Sequence, residues 1–367
     1  MTGGDAAAPA RTAAPDDIVA TAADVRPGAR EPLVLLEPLR GFLDAHGLGH
    51  GEPRLAPLGD GRSNVTYALD RGGAPMVLRR PPRGPLAPST HDVLREARIL
   101  AALAGRVPVP RVLAVCEDPE RIGAPFYVME RAEGEMAAAA LPPALDDPAG
   151  RAAAAAAAVE TLAALHAVDW RAAGLEGFGR PDGYLERQVK RFAGLWERHA
   201  TRPLPAVDRT ARWLAGHVPD ASGPATIVHG DFRLGNLLLA ATAPARVTAI
   251  LDWEMSTLGD PLADLGYLCL FWTEADDPDD VMTRAYPLTR GRGFPSREEL
   301  VARYAEASCR EPGDIRFHRV LALWKLIVFM EGNYRRALAG STDDPHLLAF
   351  GEGIAELADR AVAMTRA

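Results

Sequence analysis

The pattern of apolar and polar positions changes character twice in the first third of the chain. Residues 33–48 carry apolar side chains at helical spacing, whereas residues 54–80 consist of short runs in which apolar and polar residues alternate. The segments GDGRS and RGG interrupt this alternation, so the pattern predicts three strands joined by a Gly-rich turn and a hairpin. Helical spacing returns at 90–105, where Ser89 or Thr90 is the expected N-cap.

Two more apolar runs after this helix complete the predicted strands, and the chain then becomes mainly helical. An Ala-rich stretch at 149–169 favours helix strongly, and a β-rich island at 226–260 interrupts the later helices. We therefore predict an α+β fold, with an antiparallel sheet and one helix at 31–131 and a mainly helical lobe at 132–367. Residues 1–30, rich in Ala, Pro, Gly and Asp, are predicted to form a disordered leader.

Composition narrows the partners of such a fold. The net charge is −8 and the pI about 5.7, so no basic face is expected and nucleic acid is not a predicted partner. No apolar run reaches the roughly 20 residues that span a bilayer, and the N-terminus lacks a signal-peptide pattern. Cys116, Cys269 and Cys309 lie in apolar stretches without metal-binding spacing, which predicts buried thiols. Together these features predict a cytoplasmic protein with no membrane partner.

The clearest chemistry lies in two segments, HGDFRLGN at 229–236 and ILDWE at 250–254. Phosphoryl transfer needs a carboxylate that accepts the alcohol proton, metal ions that bridge phosphate oxygens, and rigid positioning. Asp231 is the candidate general base. Asn236 and Asp252 offer the hard oxygen ligands that suit Mg²⁺. The alternative is that all three residues only cap turns and strand ends, which their joint occurrence in this order disfavours.

Two other polar residues of this region are predicted to be structural. His229 precedes the candidate base, and we expect it to hold the backbone of the loop. Asp264, in the segment ADLGY, is expected to accept hydrogen bonds from loop amides and not to contact substrate.

These segments resemble the loop motif of the aminoglycoside phosphotransferase family, a protein-kinase-like family in which HGDxxxxN stands where protein kinases have HRDxxxxN. The similarity continues in order through LGDGRSNVTYAL, VLRRPPRG, REARIL, FYVMERAEG and GDPLADLGYL, over about residues 31–340. The chain is most similar to the branch that includes the kinase-like domain fused to some acyl-CoA dehydrogenases. The resemblance implies a two-lobed fold and a transfer of the γ-phosphoryl group of ATP, with Mg²⁺, to a hydroxyl of a small molecule.

The resemblance also implies that residues 31–131 form a nucleotide-binding lobe. The residues that match the turn over the triphosphate are Gly61, Ser63 and Asn64. Asp60 departs from the family pattern, because it stands where the family has a glycine. The backbone between Glu130 and Ala132 is expected to hydrogen-bond adenine by analogy with this fold.

Arg79 takes the position at which the family usually has a phosphate-binding lysine. Arginine keeps the positive charge, and Glu96 is its expected ion-pair partner. Arg80 should point to the opposite face of the strand, because strand side chains alternate. The alternative interpretation is that both arginines are solvated.

Few residues in the sequence indicate which molecule accepts the phosphoryl group. Candidate contacts are Arg187, Trp253, Glu254, Tyr334 and Arg335. Basic and aromatic residues on the helices expected to line the acceptor cleft disfavour a polycation and favour an anionic or neutral hydroxylated acceptor, such as a hydroxy acid or a hydroxyacyl thioester. They equally suit solvated helix faces, and the acidic run at 274–280 suits a solvated loop. Two alternatives stay open: an aminoglycoside-modifying O-phosphotransferase of antibiotic resistance, and an inactive nucleotide-binding pseudokinase.

Overall fold

The structure of the protein, a computed structural model, describes residues 16–28, 30–59, 64–84, 91–220, 223–340 and 346–366. The chain divides into two compact units. The first comprises Met1–Gly105 with Val109–Ala132, and the second comprises Arg106–Pro108 with Glu133–Ala367. None of the helices in the described part of the chain has the length and apolar character that a bilayer crossing demands.

In the described residues of the first unit the strands are β1 (Ile18–Val19), β2 (Val34–Leu35), β3 (Arg54–Pro57), β4 (Val65–Asp70), β5 (Met76–Arg80), β6 (Val112–Cys116) and β7 (Phe126–Glu130). The helices there are α1 (Leu36–Ala45) and α2 (Val93–Leu103). The order β3-β4-β5-β7-β6 forms one antiparallel sheet. Apolar side chains of α1 cover this sheet, with the rings of Phe42 and Phe126 edge to face at 4.9 Å. The predicted antiparallel sheet with an inserted helix is therefore confirmed.

The prediction of a disordered leader over residues 1–30 is wrong for residues 16–28. Ile18 pairs with Val34 in a parallel bridge, and the amides of Leu33 and Val34 both donate to the Asp17 carbonyl, at 2.7 and 3.0 Å. Backbone hydrogen bonds of this kind give even a polar segment a defined place, so residues 16–28 belong to the fold. The expected caps Ser89 and Thr90 lie outside the described residues, and the N-cap of α2 is instead Asp92, which accepts from the amide of Arg95 at 2.9 Å.

The described strands of the second unit are β8 (Glu135–Met136), β9 (Thr226–Val228), β10 (Leu237–Leu239), β11 (Val247–Ile250) and β12 (Thr257–Gly259). Its described helices are α3 (Pro148–Ala167), α4 (Tyr184–His199), α5 (Pro205–Gly216), α6 (Leu262–Leu270), α7 (Val281–Ala285), α8 (Arg297–Ser308), α9 (Arg316–Leu338) and α10 (His346–Met364). Apolar residues of α4, α5, α9 and α10 form one core. Helices α6 and α9 approach closely, because a Cβ on Gly266 would lie 2.7 Å from the His318 carbonyl carbon.

Two polar segments differ from the sequence-based expectation. The acidic run at 274–280 is not simply solvated, because Asp277 pairs with Arg297, and Asp280 caps α7 and pairs with Arg360 at 2.8 Å. Packing against basic residues of α8 and α10 explains this burial, and it is invisible in the local sequence. Cys309 is exposed, whereas the other two thiols are buried as predicted.

Candidate functional site

The segment 229–236 forms a loop between β9 and β10. Strand β12 pairs with β9 and strand β11 pairs with β10, so both ends of the loop are fixed by sheet hydrogen bonds. Gly230 has a φ of 86°, and a Cβ there would lie 2.7 Å from the Met255 carbonyl oxygen. Only glycine fits this turn without displacing the backbone, and the turn brings Asp231 out of the strand.

Asp264 anchors the start of this loop from α6. Its two carboxylate oxygens accept hydrogen bonds from the amides of His229 and Gly230, at 2.7 and 2.8 Å, and His166 Nε2 lies 3.3 Å away. Burial alone would raise the pKa of the Asp264 carboxyl, but the hydrogen bond and charge of His166, followed by His229 and the Gly230 amide, outweigh burial and lower it. The predicted bonding of Asp264 to loop amides is confirmed.

His229 is a structural residue, as its hydrogen bonds show. Its Nε2–H donates to the Leu251 carbonyl at 2.9 Å, while its Nδ1 accepts from the amide of Asp231 at 3.2 Å. The ring packs edge to face on Trp253 at 4.6 Å. His229 therefore ties the loop to the end of β11, in the backbone-holding role that the sequence predicted.

Three side chains surround the carboxylate of Asp231. Asn236 Nδ2 donates to Asp231 Oδ2 at 2.7 Å and to its main-chain oxygen at 2.8 Å. Arg233 Nε lies 3.4 Å from Oδ1, and the hydroxyl of Tyr267 on α6 forms a hydrogen bond with the carboxylate. Burial, followed by the Asp231 charge, raises the pKa of Tyr267 well above its usual value, so the hydroxyl stays a donor.

Arg233 and Tyr267 were not among the predicted site residues, although both lie in segments that carried the family resemblance. The Arg233 guanidinium also lies 5.3 Å from the ring centre of Phe271 and 5.7 Å from that of Tyr286. Burial alone would lower the pKa of Arg233, but the charge of Asp231, together with Tyr286, Tyr267 and Asp252, outweighs burial and raises it. The guanidinium is thus a fixed positive charge beside the candidate base.

Asn236 and Asp252 fit the small oxygen-ligand set of a magnesium ion. The Leu251 amide donates to the Asn236 carbonyl at 2.8 Å, so the two residues occupy adjacent positions on neighbouring backbone segments. Asp252 has a φ of 65°, a left-handed conformation that is uncommon outside glycine, although Asp adopts it more readily than most residues. The described residues contain no cluster of three or more His, Cys, Asp and Glu side chains suited to a metal.

In the first unit, the predicted ion pair between Arg79 and Glu96 is confirmed. Arg79 Nε donates to Glu96 Oε2 at 2.8 Å, and its Nη1 donates to Thr66 Oγ1 across the strand pair at 3.1 Å. Asn64 Nδ2 lies 3.3 Å from the same Glu96 oxygen. Asn64 is buried, so it helps to hold Glu96 in place. Gly61 and Ser63, and the divergent Asp60, lie outside the described residues.

Arg80 points to the other face of β5, as strand alternation predicted, but it is buried and not solvated. Its guanidinium donates to the carbonyls of Leu33, Ile122 and Pro81. Burial lowers the pKa of Arg80 to about 10. Arg80 therefore joins the strand to its surroundings within the first unit and is a structural residue.

The expected adenine contacts lie at the end of β7. The amide of Glu130 donates to the Arg111 carbonyl at 2.9 Å, and the amide of Arg131 donates to Pro75 at 3.1 Å. No described residue accepts a hydrogen bond from the amide of Ala132. Of these three amides, only that of Ala132 therefore suits adenine.

The predicted acceptor contacts are mostly engaged elsewhere. The prediction that Trp253 contacts the acceptor is wrong, because its side chain is 1% exposed and its indole donates to the Ile250 carbonyl at 2.9 Å. Arg187 donates to the Arg180 carbonyl and Arg335 to the Arg198 carbonyl, while the Tyr334 ring lies against Arg202. In the described residues no contact joins these side chains to Asp231. Glu254 lies in the turn after Asp252 and stays a prediction.

Comparisons with known proteins agree with this geometry. A family model described as "Phosphotransferase enzyme family" matches residues 54–318. Acyl-CoA dehydrogenase family member 10 of Mus musculus is 36% identical over 333 residues, which are 87% of this chain and 30% of that protein. The chain spans less than half the length of the curated relatives it matches.

Solved structures of phosphotransferases are also similar to this chain. A putative aminoglycoside phosphotransferase from Ralstonia eutropha JMP134 superposes with a TM-score of 0.78 and 31% identity, covering 90% of this chain and 98% of that one. Aminoglycoside phosphotransferase APH(4)-Ia, in a ternary complex with AMP-PNP and hygromycin B, superposes with a TM-score of 0.57 and 19% identity, covering 89% and 98% of the two chains. The second likeness concerns the fold alone.

Proposed function

Because this chain belongs to the phosphotransferase enzyme family, whose protein-kinase-like fold it shares, we propose that it transfers the γ-phosphoryl group of ATP, with Mg²⁺, to a hydroxyl of a small molecule. One observation carries the proposal: Asp231 and Asn236 are in direct contact on a loop that the buried Asp264 fixes. A base and a metal ligand held together on a rigid loop are what phosphoryl transfer requires.

In this mechanism Asp231 accepts the proton of the acceptor hydroxyl while the hydroxyl oxygen bonds to the γ-phosphorus; the bond from that phosphorus to the β,γ-bridging oxygen breaks, and ADP leaves. The hydrogen bonds from Asn236 and Tyr267 fix the rotamer of the carboxylate, so that little reorganisation is needed when the acceptor arrives. Arg233 supplies a fixed positive charge next to the reacting groups.

Asn236 and Asp252 are the residues we propose to hold the magnesium ion. Asn236 directs its nitrogen to Asp231, which leaves the amide oxygen for a cation. The left-handed backbone of Asp252 supports this role, since strained residues persist mainly where function requires them. An ion held by these two oxygens would supply positive charge that offsets the negative charge of the phosphates.

The nucleotide is proposed to bind the first unit. Arg79, oriented by Glu96 and Thr66, would bind the phosphates in place of the usual lysine. Gly61, Ser63 and Asn64 are assigned to the turn over the triphosphate, and the Glu130 carbonyl and the Ala132 amide to adenine. The AMP-PNP complex of the structurally similar hygromycin B enzyme supports ATP as the donor.

The acceptor is proposed to be an anionic or neutral hydroxylated compound, such as a hydroxy acid or a hydroxyacyl thioester. The relatives named as acyl-CoA dehydrogenases support the thioester. The name of the Ralstonia structure favours an aminoglycoside as the second candidate. A polycation would, however, approach Arg233, whose charge is fixed beside Asp231. The intact pair of Arg79 and Glu96 speaks against an inactive pseudokinase.

An acceptor panel tests this function. ADP release from Mg·ATP is measured with kanamycin-type aminoglycosides, with hydroxy acids, and with hydroxyacyl-CoA compounds. We expect stimulated release with one of the latter two classes. Stimulation by kanamycin alone would promote the second candidate, and no acceptor-dependent release with any class would contradict the proposed kinase activity.

A further inference from the structure

A cavity of about 550 Å³ lies within the second unit, and the proposed mechanism uses none of the residues that line it. Its walls are formed by residues 289–298, by residues 274–276 after α6, and by one residue of α9. The described residues of the lining include four arginines, which are Arg290, Arg292, Arg297 and Arg319. Because guanidinium groups are suited to carboxylate and phosphate oxygens, this lining indicates a site for an anion.

The segment 289–298, which forms most of the wall, is held in place from two sides. The Trp272 indole donates to the Pro295 carbonyl at 2.8 Å. Gly293 has a φ of 103°, and a Cβ there would lie 2.4 Å from the Cα of Pro148, so the segment lies directly against the start of α3. The cavity is therefore preformed by the packing of the second unit.

Arg319 is a cation of this lining without a partner among the described residues. Its side chain is half-buried, its Nε is enclosed without a hydrogen bond, and no described residue forms a salt bridge with its guanidinium. Burial, followed by the charge of Arg297, lowers the pKa of Arg319. Arg297 itself is neutralised by Glu274, at 2.6 Å, and by Asp277. A half-buried charge beside another cation costs free energy, and an anion in the cavity would offset this cost.

The remaining charged groups of the lining are exposed. Arg292 makes no side-chain hydrogen bond to any described residue, and Arg290 donates through Nη2 to the Ala275 carbonyl at 3.2 Å. Asp276 and Glu298 are the acidic members of this exposed set, and solvent screens their repulsion of an anion. The half-buried part of the lining thus presents a positive charge that the protein does not pair.

We propose that this cavity is a phosphate-binding site in which Arg319 and Arg292 donate to the phosphate oxygens. A phosphomonoester carries about −1.5 to −2 charges near pH 7 and three strong acceptor oxygens. It can therefore accept charge-assisted hydrogen bonds from two guanidinium groups at once, whereas a carboxylate has one charge and two oxygens. The proposal does not depend on the kinase activity, because it concerns binding alone.

Two sources of phosphate share this chemistry. Thr289 lines both this cavity and a small one of about 20 Å³ beside Arg233, and its hydroxyl donates to the Thr273 carbonyl at 2.9 Å. Because Arg233 lies 3.4 Å from Asp231, the larger cavity adjoins the surroundings of the candidate base. The phosphate therefore belongs either to a free phosphorylated compound or to the CoA end of a thioester acceptor.

Calorimetric titration with inorganic phosphate tests the site, in the presence of Mg²⁺ and AMP-PNP so that the nucleotide site is occupied. Arg319→Met and Arg292→Met should each raise the Kd for phosphate roughly tenfold or more. Arg316→Met is the matched control, because Arg316 lies three positions before Arg319 on α9, pairs with Asp314 at 2.8 Å, and does not line the cavity. This control should bind phosphate like wild type. Absence of phosphate binding, or binding that Arg319→Met and Arg292→Met both retain, overturns the proposal.

Thermal unfolding checks that the variants are folded and gives a second readout. Arg319→Met removes a charge that has no described partner, so without phosphate its melting temperature should not fall below that of wild type. Phosphate should raise the melting temperature of wild type and of Arg316→Met, but not that of Arg319→Met. If Arg319→Met does not fold, the exposed Arg292 decides the question alone. Equal stabilisation of wild type and Arg292→Met by phosphate would then overturn the site.

Titration with CoA distinguishes the two sources of phosphate. If CoA binds at least tenfold more tightly than inorganic phosphate, and Arg319→Met weakens this binding, the phosphate belongs to a thioester acceptor. If CoA binds no more tightly than phosphate, or binds without regard to Arg319, the ligand is a free phosphorylated compound. Either result supports the site when the phosphate titrations do, even if no acceptor is phosphorylated, in which case the proposed function alone fails.

Discussion

Asn236 donates to Asp231 twice through one nitrogen, at 2.7 Å to the carboxylate and at 2.8 Å to the main-chain oxygen. The candidate metal ligand therefore also orients the candidate base. Because the nitrogen is engaged, the amide oxygen is the atom left for a cation. Metal binding and base positioning are consequently coupled through a single side chain.

Asn236→Ala should impair both properties together. We expect the Mg²⁺ concentration for half-maximal activity to rise and kcat to fall by roughly 10- to 100-fold. Titrating Mg²⁺ against the initial rate of ADP formation measures both. A variant that needs more Mg²⁺ but reaches the wild-type kcat would show that Asn236 does not position Asp231.

Asp252 offers a separate test through its backbone. Both Asp252→Ala and Asp252→Gly remove the carboxylate, so both should lose the Mg²⁺-dependent part of the thermal stabilisation that ATP gives. Glycine accepts a φ of 65° freely, and the glycine variant should therefore be more stable than the alanine variant by about 1 kcal/mol. Thermal melts with and without Mg²⁺ and ATP measure both effects. Retention of the Mg²⁺-dependent increment in either variant would place the ion elsewhere.

Substitution of Arg79 should impair catalysis, whereas substitution of Arg80 should lower stability. Arg79→Lys restores the residue usual in the family and should keep turnover, whereas Arg79→Met should lose roughly tenfold to thousandfold in kcat/KM for ATP. Arg80→Met breaks buried hydrogen bonds to three carbonyls and should cost about 1–3 kcal/mol of stability with little change in kcat/KM. Urea unfolding and steady-state kinetics separate the two. The reverse ranking would contradict the assignment of faces on β5.

Asp264→Asn should weaken the scaffold of the loop in a pH-dependent way. The folded pKa of Asp264 is lowered below its unfolded value of about 3.9. Its contribution to stability is therefore fully present above that value and is lost as pH falls through the lowered pKa. We expect the free energy of unfolding of wild type to exceed that of the variant by about 1–3 kcal/mol at pH 7. This difference should shrink below a pH of about 4. Urea unfolding at several pH values measures this, and a difference independent of pH would argue against an ionised Asp264.

The sequence predicts the site residues whose relative positions are set by residues close to them in the chain. Asp231, Asn236 and Asp252 lie in two short segments, and alternation along one strand separates Arg79 from Arg80. Tyr267 escaped prediction because only the packing of α6 brings it toward the loop. Tertiary packing likewise decides that Trp253 is buried beside His229.

Asp231 acts as the base in the proposed γ-phosphoryl transfer, and one product measurement tests this most directly. ³¹P NMR can follow Mg·ATP with a hydroxy-acid acceptor, for wild type and for Asp231→Asn, which keeps the shape of the side chain. For wild type we predict a phosphomonoester resonance that grows in step with ADP. The variant should fold and bind Mg·ATP, but form this product slower by roughly two to four decades. Product formation by the variant at the wild-type rate, or a wild type that yields only inorganic phosphate, would contradict the central claim.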